Sequence, residues 1–89
     1  MHYLVGRHAV ADFGKWHRVF ASHAKAQREA GLHLLHLLRD TADPNLVVML
    51  FRADAPEAAR AFTESPDAAQ AARSSGVLGV PEISLLREG

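Results

Sequence analysis

The side chains best suited to chemistry in this chain are its six histidines. Imidazole titrates near neutrality, so it can both accept and donate a proton there. His23 stands out by position. It falls within Asp12–Gly31, DFGKWHRVFASHAKAQREAG, one turn beyond Val19 and Phe20 on the apolar side, with Trp16 one way and Gln27 the other. An imidazole and a carboxamide on such a face must find partners or face a cavity. Two readings stay open. His23 is a core histidine bonded to a backbone carbonyl, or Trp16, His23 and Gln27 line a pocket between helix and sheet.

A metal site has less to build on. His33 and His36 are three apart, which places them on opposite faces of a regular strand. His17 and His23 are six apart, about 120° from each other around a helix. No carboxylate stands at ligand spacing beside them, and cysteine is absent, which excludes thiolate sites and disulfides. No metal is expected, although a pair from different elements, such as His8 with His36, stays open. His2, His17 and His33 are expected to be solvated or structural.

Composition narrows the partners. Ten basic and ten acidic residues cancel, and no basic patch suggests nucleic acid. No apolar run is long enough to span a membrane, and the start lacks the basic-then-apolar pattern of a secretion signal. A cytoplasmic location is expected. At 89 residues with 48% hydrophobic, the chain suits one small domain, 1–89.

The elements that must position these groups follow from pattern. Asp12 is an N-cap type, Gly31 suits the left-handed C′ position, and Arg28 sits in the last turn, where a cation is favoured. Phe13, Trp16, Phe20, Ala24 and Gln27 keep helical spacing between those ends, so one long amphipathic helix is predicted. Before it, His2–Ala9 reads as a strand with His2, Leu4, Gly6 and His8 on one face and Tyr3, Val5, Arg7 and Ala9 on the other. Gly6 weakens a strand unless something approaches closely there. His8 ends the strand and is expected at the surface.

Leu32–Asp40 is predicted as a strand with Leu32, Leu34, His36 and Leu38 on one face and His33, Leu35, Leu37 and Arg39 on the other. Asp40–Asn45 is a hairpin turn and Leu46–Ala53 the next strand. Both strands are apolar on both faces. One helical layer covers only one side of a sheet, so the other side asks for a second copy of the chain through an isologous contact.

Asp54 is read as the cap of a helix entered through Pro56 and running to Phe62. Ser65 caps a second piece, with Pro66 in its first turn and Ala68–Arg73 as its body. Val77–Val80 is read as a connector, Pro81 as an edge-strand start and Ile83–Arg87 as the last strand. The fold class is α+β: ferredoxin-like βαββαβ, a four-stranded antiparallel sheet with a split second helix.

The pieces RHAVADFGKWHRVF, HAKAQREAG, DPN before an apolar strand, FTESP and GVLGVPEI resemble the dimeric α/β-barrel superfamily, near its antibiotic biosynthesis monooxygenase and cyclase-like groups. The resemblance spans nearly the whole chain. It implies a homodimer closing sheet against sheet and a ligand between the sheet and helices of each subunit. It would place Trp16 and His23 on that pocket and Arg7, His8 and Arg28 near its rim. Phe20, Gln27 and His36 complete the substrate-binding set. Haem-degrading members carry Trp and His on the second helical region, where this chain has Phe62 and, beyond His36, neither residue. No cofactor is therefore expected.

The chemistry that fits is proton transfer on a hydrophobic, polyketide-like or aromatic molecule. His23 would abstract a proton beside a carbonyl, and Arg7 or Arg28 would stabilise the enolate. That serves a cyclase or isomerase, or the first step of a cofactor-free monooxygenase. The alternative is a non-catalytic dimer that binds a small molecule or builds an assembly.

Overall fold

The computed structural model describes residues 1–89. Its elements are β1 (His2–Val10), α1 (Phe13–Ser22), α2 (Ala24–Glu29), β2 (Leu32–Arg39), β3 (Leu46–Ala53), α3 (Pro56–Thr63), α4 (Pro66–Ser75) and β4 (Val77–Arg87). The strands form one antiparallel sheet in the order β2-β3-β1-β4. The helices supply the second layer of an α+β ferredoxin-like fold.

The predicted long helix is two helices that break at His23. The Ser22 hydroxyl donates to the Val19 carbonyl at 2.6 Å, the acceptor that the His23 N–H would use in a continuous α-helix. The His23 N–H turns instead to the Phe20 carbonyl at 3.1 Å, and the backbone bends (φ −97°, ψ 7°) before α2 begins. The ends match expectation. The Asp12 carboxylate accepts from the Gly14 N–H at 3.0 Å, and Gly31 takes a left-handed φ of 78° beyond the Ala30 cap.

Strand β2 departs from plain alternation. Its register against β3 slips by one residue between Leu34 and His36. This bulge turns the rest of the strand over, so Leu37 and Arg39 join the helix side while His36 and Leu38 go to the other side. Arg39 then lies over the Phe13 ring, its guanidinium carbon 3.7 Å from the centroid.

Val77–Val80, read as a connector, is the first part of β4. Val77 and Leu78 pair with Val10 and Ala9, and an irregularity containing Gly79 (φ 69°) separates them from the regular run after Pro81. β4 is an edge strand, so the missing Pro81 N–H and the bulge cost no second ladder. Asp54 does not cap α3. The cap position is Ala55, without a side-chain bond, and the Asp54 carboxylate pairs with His33 instead. Ser65 does cap α4, accepting from the Ala68 N–H at 3.1 Å.

The core lies between sheet and helices: Leu4, Val47, Met49 and Phe51 from the sheet meet Trp16 of α1 and Ala59 of α3. The opposite face has no cover within the chain. Leu38 is 52% exposed there and Leu86 48%, beside Val5, Val48 and Leu50. No helix is long and apolar enough to cross a membrane.

Candidate functional site

A cavity of about 950 Å³ opens between the helix face of the sheet and the four helices. Leu4, Gly6, Met49 and Phe51 form its floor; Phe20, Phe62 and the small side chains of α4 form its walls. Gly6 lets the floor pack closely. A Cβ at that position would stand 2.9 Å from Met49 Cε. The close approach that a strand glycine implies is therefore made by the Met49 methyl.

Four of the expected site residues meet this space: His8, Phe20, His23 and Gln27. His23 reaches it from the α1–α2 bend rather than from the middle of a helix. Gln27 is buried on the wall, and with Phe20 and Leu32 it separates the cavity from a second cleft of about 480 Å³ against β2.

The other four lie elsewhere. Trp16 is only 3% exposed and fills the core behind the wall, stacked on Phe20 with ring centroids 4.8 Å apart. It supports the cavity without lining it. Arg28 borders the second cleft. Arg7 alternates with the cavity residues Gly6 and His8, so it projects from the back of the sheet, 4.0 Å from Glu82. The β2 bulge carries His36 to that same back face, so it cannot join His8 in a metal site. No three histidines or carboxylates converge anywhere in the chain. Neither arginine is placed to stabilise an enolate formed in the cavity.

His8, expected at the surface, is the cavity residue with the most perturbed chemistry. Its ring packs edge-on to Trp16, and burial pushes its pKa below the ordinary 6.5, partly offset by the Arg7 backbone carbonyl. Its Nδ1 is buried without a hydrogen-bond partner. Its place at a strand end points to the surface, but the helix layer packs over it. The signal that finds it is its parity with Leu4 and Gly6, which puts it on the cavity face of β1.

His33, read as solvated or structural, is bonded. Its Nε2 lies 2.8 Å from Asp54 Oδ2, and Arg52 Nε lies 3.8 Å from the other carboxylate oxygen. The His33 hydrogen bond, followed by its charge and that of Arg52, lowers the Asp54 pKa. This cluster ties the start of β2 to the end of β3, away from the cavity.

No family model matches the chain, and no curated protein does. Solved structures do. SnoaB, a cofactor-independent oxygenase from Streptomyces nogalater, superposes on 98% of this chain and 91% of its own with a TM-score of 0.74 at 21% identity. The fold is that of the antibiotic biosynthesis monooxygenases. A provisionally named antibiotic biosynthesis monooxygenase from Bordetella bronchiseptica covers 99% and 96% of the two chains with a TM-score of 0.78 at 13% identity. Another, from Deinococcus radiodurans, covers 100% and 93% with a TM-score of 0.71 at 19% identity. At such identities the likeness is one of fold, and it extends over the whole length of this chain.

Proposed function

We propose that the chain is a small homodimeric, cofactor-independent enzyme or enzyme-like protein that acts on a hydrophobic organic molecule by histidine-mediated proton transfer. The reaction class is that of a cyclase, an isomerase or a monooxygenase. The observation that carries the reading is the cavity itself. Its volume of about 950 Å³ falls at the upper end of the range typical of small-molecule sites, about 300–1,000 Å³. It is largely apolar and holds two imidazoles, His8 and His23, a side-chain type suited to acid–base work. The SnoaB likeness favours chemistry of this cofactor-free kind. The apolar back of the sheet supports pairing with a second copy, which would leave the helix side free for a ligand.

The test is to identify by mass spectrometry what co-purifies with the protein, then to screen enolisable and hydroxyaromatic compounds for binding, turnover and oxygen uptake. Ala72→Phe, which fills the cavity from α4, should abolish binding and turnover while the protein stays folded. Binding without turnover of any compound would make the chain a small-molecule-binding dimer instead. Binding untouched by the filled cavity would end the reading.

A further inference from the structure

The second cleft, against β2, is lined by Ala21 of α1 and Ala24 of α2 on the helix side and by Leu34 and Leu37 on the sheet side. None of these four borders the large cavity. The cleft volume of about 480 Å³ lies within the range typical of small-molecule sites, about 300–1,000 Å³. Leu34 is 43% exposed, an apolar side chain with open space against it.

The polar groups of the cleft carry one sign. No aspartate or glutamate lines it. Its basic residues are His17, Arg28 and His33. His33 is already held by Asp54 at 2.8 Å, and His17 stacks on Phe13 with ring centroids 5.6 Å apart. Arg28, in the last turn of α2, takes part in none of the ion pairs or side-chain hydrogen bonds of the chain. It is a permanent cation with a planar fork of donors that matches a carboxylate.

Gln27 supplies a second, independent sign of a ligand. It is 9% exposed, yet its carboxamide bonds no group of the chain. The one side-chain polar atom that is both unpartnered and sealed is Nδ1 of His8, so the Gln27 amide keeps open space beside it. The residue borders the cleft and the cavity, and an amide in such a wall asks for a partner from one of them.

We propose that the cleft is a second binding site, separate from the cavity, for an apolar monocarboxylate. The hydrocarbon body lies between the two alanines and the two leucines. The carboxylate pairs with the Arg28 guanidinium and accepts from the Gln27 amide. Charge complementarity selects this occupant, because a neutral molecule leaves Arg28 unpaired and a cation is repelled. The site takes no part in the reaction proposed for the cavity, so either can fail without the other.

The experiment titrates octanoate and 1-octanol into the whole chain, by calorimetry and by NMR of the leucine and isoleucine methyl groups. An apolar cleft alone prefers the alcohol, because a carboxylate is costly to desolvate. Pairing with Arg28 reverses the order, and octanoate should bind about tenfold more tightly. It should shift the methyl resonances of Leu34 and Leu37 and leave those of Leu4 and Ile83, which line the cavity. Arg28→Gln should remove the preference for octanoate. Gln27→Met, which keeps the bulk and removes the donor, should weaken octanoate and spare 1-octanol. Ala24→Phe should fill the cleft and abolish binding, whereas Ala72→Phe, on the cavity wall, should not change it. Binding of 1-octanol as tight as that of octanoate, shifts at Leu4 and Ile83 instead, or no binding of octanoate at all would each overturn the proposal. The methyl shifts of the unaltered chain decide the location even where a variant does not fold.

Discussion

The His8 imidazole meets the Trp16 indole edge-on, with ring centroids 6.2 Å apart and planes 65° from parallel. Trp16 also stacks on Phe20 at 4.8 Å, and Phe20 reaches Phe51 at 6.2 Å. One buried indole therefore joins the central strand, the first helix and the cavity wall. Trp16→Ala should destabilise the fold by about 3–5 kcal/mol, the usual cost of removing a buried tryptophan. Trp16→Phe keeps the stacking and should cost less. Chemical denaturation of both variants checks this; an Ala variant as stable as the parent would show that the indole is not a core residue.

Gly6→Ala should change stability little and the cavity a great deal. The new methyl meets Met49 Cε, the mobile end of a flexible side chain, at 2.9 Å. Met49 can move into the open cavity, so the overpacking cost should stay within about 1 kcal/mol, at the low end for such insertions. The displaced thioether then occupies ligand space. Thermal melts should show a near-parental transition, while binding of the compound identified for the cavity weakens.

Stability should fall in two separate stages as the solution is acidified. Burial holds the His8 pKa below 6.5, so the unfolded chain takes up a proton that the folded one refuses. Stability is fully present above pH 6.5, declines from there to the lowered folded value and then levels off. Asp54 has its pKa lowered below 3.8 by the His33 hydrogen bond first, so its contribution is present above 3.8 and lost as pH falls through the depressed value. Denaturant titrations across the two ranges should show His8→Gln removing the first decline and Asp54→Asn the second.

Leu38→Arg or Leu86→Arg, on the uncovered face of the sheet, should separate the proposed dimer. Each places a charge where the pairing would bury an apolar side chain. Sedimentation should show the mass of the parent falling by half in the variants, with the fold intact by circular dichroism. A parent already monomeric at tens of micromolar would remove the basis for pairing.

The sequence by itself determined the layers. The strand runs His2–Ala9 and Leu46–Ala53, the Asp12 and Ser65 caps, and the Gly31 stop are local effects, and local effects are legible in the order of residues. The uncovered apolar back of the sheet was legible for the same reason.

Tertiary structure alone decided which side chains meet the cavity. The β2 bulge is one residue of slippage against β3, and it moved His36 to the far face. Whether His8 is wet or buried depends on Trp16, eight positions along and across a helix–sheet contact. Periodicity gives the direction of a side chain along its own element. It carries no information on what packs against it, and burial sets both the state of an imidazole and the space around it.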